Sequence, residues 1–104
     1  AYLNAYTYYK IGRYKSAITA LKNALKEYPD SKHREEIMFL IVDASYRFAS
    51  NSIASKQTDR YLAMIDSFLS FKEAYPESDR MKEAERMAKH ARDYLDSNNK
   101  DNNI

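Results

Sequence analysis

The chain has 104 residues, 44% hydrophobic and 31% charged, and its 17 basic and 15 acidic side chains give a formal net charge of +2. Such proportions belong to one folded domain with a modest core and exclude a disordered chain, while the absence of cysteine excludes disulfides, thiolate metal sites and a cysteine nucleophile. Charges of both signs mix along the sequence, without the clustered basic face that grips nucleic acid, and the longest apolar run, Ile37 to Val42, is far shorter than the roughly 18 residues of a membrane span.

In chain order, residues 1 to 11 predict a first helix carrying Tyr2, Leu3, Tyr6, Tyr8 and Tyr9. Gly12, the only glycine, stands where that helix must end and reverse, which calls for a left-handed backbone angle. From Arg13 or Tyr14 to Glu27 the spacing of Tyr14, Ala17, Ile18, Leu21, Ala24, Leu25 and Tyr28 predicts a second helix with one buried stripe. Pro29 forbids its continuation. A third helix is expected after Asp30 or Ser31 as N-cap, with Glu35 and Glu36 in early turns where the helix dipole favours acid. It runs to about Ala49 or beyond and is apolar on more than one face, so it should be the most enclosed element. A fourth helix is expected from Thr58 or Asp59 to Ala74. The fifth begins after Ser78 or Asp79 and ends near Leu95; its narrow stripe of Met81, Ala84, Met87, Ala88, Ala91, Tyr94 and Leu95 suits a terminal helix with a solvated outer face. The polar residues 98–104 read as a disordered tail, which leaves 1–97 as the folded domain.

The tetrapeptide Tyr28-Pro29-Asp30-Ser31 recurs as Tyr75-Pro76-Glu77-Ser78 after 47 positions. Superposing the two brings Tyr14 onto Tyr61, Ile18 onto Ile65 and Leu21 onto Phe68, and puts Met64 and Phe71 in the places of Ala17 and Ala24. The spacing of Tyr8, Gly12, Ala17 and Ala24 is that of a tetratricopeptide repeat: an aromatic ends one helix, a glycine turns the chain, and small residues let the next helix approach. The expected fold is therefore all-α, a tetratricopeptide-like right-handed superhelix of about five antiparallel helices, comprising two elongated repeats and a capping helix. A standard repeat takes about 34 residues. The surplus is assigned to the start of the third helix and to the polar stretch Ser50 to Asp59.

Chemistry-bearing motifs are sparse. His33 and His90 each have an acid three residues on, Glu36 and Asp93, but neither pair belongs to a metal or catalytic motif, and one glycine cannot make a phosphate-binding loop. No catalytic residue, cofactor or metal site is predicted. In stacked helical pairs the first helix of each pair lines the concave side, so Tyr2, Tyr6, Tyr9 and Lys10 on the first helix and Ala44, Arg47 and Asn51 on the third are the candidate protein-binding residues. Tyrosine and arginine most often carry binding energy, although helix packing alone also uses tyrosine.

Further residues narrow the family. Tyr28-Pro29-Asp30-Ser31 followed by Arg34-Glu35-Glu36 and Met38-Phe39, then Ala44-Ser45-Tyr46, Asn51-Ser52, Lys56-Gln57 and Arg60-Tyr61, and finally Tyr75-Pro76-Glu77-Ser78 with Lys82-Glu83-Ala84-Glu85, resembles the C-terminal part of the outer-membrane assembly lipoproteins of the BamD or YfiO family. The Asn-Ser insertion with its following Lys-Gln is similar to the Bacteroidetes versions. The resemblance implies a fragment of a longer, non-enzymatic scaffold, lipid-anchored on the periplasmic side of the outer membrane. Its implied partners are the barrel-forming subunit of the β-barrel assembly machinery and other assembly lipoproteins. Nucleic acid is not among them, and membrane contact is expected only through the lipid anchor, which lies outside this sequence. A different tetratricopeptide adaptor, binding peptides or cell-envelope proteins, is the alternative.

Overall fold

The computed structural model describes residues 2–102, with side chains described from Asn4 to Asn98. Among the described residues there are five helices and no strand: α1 (Tyr2–Lys10), α2 (Tyr14–Glu27), α3 (Arg34–Ser50), α4 (Ala54–Ala74) and α5 (Met81–Asn102). Each packs on the next in sequence, and α3 also touches α5. This is the expected all-α, tetratricopeptide-like stack.

The first turn is closed by backbone alone. The amide of Gly12 donates to the Tyr9 carbonyl (3.1 Å) and that of Arg13 to the Tyr8 carbonyl (2.9 Å), the paired bonds of a Schellman motif. Gly12 has φ +79. A Cβ built there would meet no atom within 4 Å, so glycine is required for the backbone angle and not for space.

The two Tyr-Pro turns superpose bond for bond. Tyr28 and Tyr75 donate to the carbonyls of Ala24 (2.9 Å) and Phe71 (2.8 Å), Ser31 and Ser78 donate from their amides to the tyrosine carbonyls (both 3.1 Å), and Arg34 and Met81 to the serine carbonyls (both 3.1 Å). Both serine hydroxyls accept an amide two residues on, from His33 and Arg80 (3.1 Å each). Ser31 and Ser78 thus brace the turn that precedes each helix. They are not its N-cap, as the sequence had suggested for Ser31; that place falls to His33.

Two expected boundaries shift. The stretch from Ser50 to Asp59 is no long loop: α3 reaches Ser50, three residues turn the chain, and α4 starts at Ala54 instead of Thr58 or Asp59. Much of the repeat's extra length is therefore helix, four turns in α2 becoming about six in α4 at 3.6 residues per turn. At the far end, α5 passes the expected stop at Leu95 and runs to Asn102, where a disordered tail from residue 98 was expected. Asn98 helps to hold it, with Nδ2 donating to the Tyr94 hydroxyl (2.9 Å) and to Thr58 Oγ1 (3.3 Å). Residues 103–104 lie outside the described part.

Helix α3 is buried without interruption from Ile37 to Ser45, because it serves two cores. Its Ile37, Leu40 and Ile41 join Ala5, Leu21 and Ala24 from α1 and α2. Met38, Phe39, Val42 and Ala49 join Tyr61, Met64, Phe68 and Phe71 of α4 and Ala84, Met87, Ala88 and Ala91 of α5. A helix with neighbours on both sides must be apolar all round.

Candidate protein-docking surface

Inside the apolar run of α3 sits one carboxylate, Asp43, only 5% exposed. A buried charge is tolerated when paired and hydrogen-bonded, and α1 and α3 supply both partners. The Tyr9 hydroxyl donates to Asp43 Oδ2, and Arg47 Nε, one turn further along α3, donates to Oδ1 at 2.9 Å. The Arg47 guanidinium lies over the Tyr9 ring at 5.8 Å, and Tyr9 meets Tyr14 edge-on, with ring centres 6.0 Å apart. Burial, reinforced by the bond to the Asp43 carboxylate, pushes the Tyr9 phenol from 10.0 up to about 12. The hydrogen bond to Asp43 holds Arg47 even more firmly in its charged state, against the opposing effect of burial.

Tyr6 stacks on Tyr9 (6.3 Å, 21° between planes) and carries Lys10 Nζ over its outer side at 5.3 Å. A ladder Lys10, Tyr6, Tyr9, Arg47 thus runs across α1 to α3, anchored from beneath by Asp43. Tyr6 and Lys10 are exposed, whereas Tyr9 and Arg47 each hold the buried carboxylate.

The other sequence-predicted residues fall elsewhere. Ala44 is fully buried and cannot meet a partner, because α3 is enclosed at that point on every side. Asn51 is exposed, but its Nδ2 donates to the Arg47 carbonyl (2.9 Å) and so caps α3. The Tyr2 side chain lies outside those described. Asp43 and Tyr14 were missed by the sequence reading of this surface; a lone acid in an apolar run with arginine four residues on was the available signal. Of the residues in the two His-acid pairs, His90 Nδ1 meets the Tyr46 hydroxyl (2.8 Å), Asp93 accepts Lys89 (2.9 Å) and Glu36 accepts Arg80 (2.8 Å).

The sequence profile of the family YfiO, described as outer membrane lipoprotein, matches residues 1–100. The chain belongs to the YfiO family. No curated protein matches it. The residues that carry the resemblance serve two structural purposes. Among the last four carbonyls of α3, that of Arg47 accepts the Asn51 amide (3.0 Å) and side chain, and that of Phe48 accepts the Ser52 hydroxyl; the Ala49 carbonyl accepts Ser52 N (3.2 Å) and Gln57 Nε2 (3.1 Å), and the Ser50 carbonyl accepts Gln57 Nε2 at 3.4 Å. The Asn51-Ser52 and Gln57 signature of this YfiO chain therefore closes a helix end that has no glycine to do it. The second Tyr-Pro turn is tied to α3: Arg34 Nη1 donates to the Tyr75 hydroxyl (3.3 Å), Ser78 Oγ donates to Glu35 (2.7 Å), and Arg80 pairs with Glu36. These signature residues hold one repeat against the next. Among the described residues no helix is long and apolar enough to cross a membrane.

Proposed function

We propose that this YfiO-family chain is a non-enzymatic docking scaffold of the machinery that assembles β-barrel proteins in the outer membrane. In the full-length protein a lipid anchor holds it on the periplasmic side, and its partners are the barrel-forming subunit and other assembly lipoproteins. The observation that carries this is the family match over residues 1–100. The helical stack supports it, because such stacks offer rigid, extended faces to other proteins, and so does the ladder, whose Tyr6 and Arg47 are of residue types common at binding hot spots.

The test uses the exposed members of the ladder. Truncating Tyr9 or Arg47 would strand the Asp43 carboxylate and confuse binding with folding. Full-length protein carrying Tyr6→Ala with Lys10→Ala should keep its helicity and lose about thirtyfold in capture of the periplasmic region of the barrel-forming subunit, corresponding to ~2 kcal/mol at a hot spot. Undiminished capture by the folded variant would place docking on another face. No capture by the wild type would count against the assembly role itself.

A further inference from the structure

The turn α1–α2 and the turn α3–α4 lie together at one end of the stack and enclose a groove of about 640 Å³. Arg13, Lys15, Lys56 and Arg60 line it, and no acidic side chain does. Four cations elsewhere pair with carboxylates, Arg47 with Asp43, Lys72 with Glu85, Arg80 with Glu36 and Lys89 with Asp93. Among the described residues none of the four groove cations does so. Arg60 is instead positioned by neutral groups, with Nη1 on Ser52 Oγ (2.6 Å) and the guanidinium over the Phe48 ring at 4.1 Å. Asp59 lies in an adjoining crevice beside Lys15 and Arg60. Four cations around one recess, none of them in an ion pair among the described residues, concentrate positive potential there.

The helix starts add to it. Both α2 and α4 begin at this groove with no acid in the first turn and no side chain capping their amides, so the positive ends of two helix dipoles reinforce the cations. Ile53, 69% exposed, stands in the same lining and offers an apolar contact among the charges.

We infer that this groove is the seat of an acidic, carboxylate-rich protein segment, held by Arg13, Lys15, Lys56 and Arg60 with an apolar side chain resting on Ile53. Charge complementarity selects the occupant: carboxylates accept from guanidinium and ammonium groups, and steering by such a field also speeds encounter. A recess between two turns suits a segment of chain, whereas an anionic bilayer would call for a flat amphipathic face. The inference rests on the scaffold reading only in taking a protein as the partner. It is independent of the Tyr6–Lys10 ladder, so the ladder variant and the groove variant can fail separately.

The experiment titrates a short fluorescein-labelled peptide of glutamates and leucines into the full-length protein, by fluorescence anisotropy. Lys15→Glu with Lys56→Glu, both exposed positions, should weaken binding by at least about tenfold, since like charges then face the acidic segment. Lys82→Glu with Arg86→Glu on the outer face of α5 makes the same change in net charge and should leave binding nearly unchanged. Added salt should weaken the wild-type complex, because exposed charges are screened. Equal losses in the two double variants would show a mere net-charge effect and overturn the proposal. So would no binding of the peptide by the wild type, or binding of phosphatidylglycerol-containing vesicles that the groove variant abolishes while peptide binding survives.

Discussion

The two halves of this chain make the same bend by different means. Where α1 turns into α2, one glycine at φ +79 closes the helix with backbone bonds. Where α3 turns into α4, the chain has no glycine, and the side chains of Asn51, Ser52 and Gln57 satisfy the carbonyls instead. The cores differ in the same spirit. Ala17 and Ala24 pack the first pair closely, while Met64 and Phe71 fill the corresponding places in the second, all of them buried. A repeat thus preserves backbone geometry more faithfully than the atoms that produce it: the two Tyr-Pro turns share the same backbone hydrogen bonds, but Tyr28 is 60% exposed and Tyr75 is half-buried beneath Arg34.

The largest expected effect tests the difference in core volume. Phe71 is fully buried and meets Phe39 edge-on at 5.8 Å, so Phe71→Ala should cost ~3–5 kcal/mol in denaturant unfolding through lost burial and the cavity it leaves. Its repeat mate tests the reverse change, for Ala24→Phe forces bulk among Ala5, Leu21 and Ile37 and should cost ~1–3 kcal/mol. If each position accepted the other's residue without loss, the two pairs would be packed alike and the comparison would fail.

A smaller pair of variants sharpens the contrast between turns. Gly12→Ala should destabilise by ~1–2 kcal/mol, all of it from the left-handed angle, since the added methyl touches nothing. Gln57→Ala should lose ~0.5–1.5 kcal/mol by uncapping Ala49 and Ser50. Thermal melts in which Gly12→Asn recovers part of the first loss would assign it to backbone conformation, because asparagine tolerates that region better than alanine.

The smallest effect concerns the link between α1 and α3. Because the Tyr9 pKa is higher folded than unfolded, its contribution is complete below the unfolded value of 10.0 and is lost as pH rises through about 12. The stability advantage of the wild type over Tyr9→Phe should therefore hold up to about pH 10 and shrink towards pH 12, with one tyrosine titrating late in the tyrosinate absorbance. A difference that stays constant over that interval would mean that the phenol is not held as described.

The family signature was readable before the structure, but its meaning was not. Asn51, Ser52 and Gln57 looked like an insertion because they are polar and sit between apolar stretches; they are a helix cap, which depends on α4 folding back within reach. Asn51, Arg47 and Tyr9 looked like free surface because helical spacing gives a face and not what lies on it. Ala44 was put on the docking side by the same spacing, and burial from several sides removed it.

By itself the sequence determined the number and kind of elements, the position of the glycine turn, the 47-residue repeat and the family, because periodicity, proline and glycine act over a few residues and leave their mark locally. Only the tertiary structure decided that Asp43 is buried between Tyr9 and Arg47, and that Arg13 and Lys15 meet Lys56 and Arg60 around one groove. Those groups are far apart along the chain, and whether a charge is paired or left to face a partner depends on which helices the fold brings side by side.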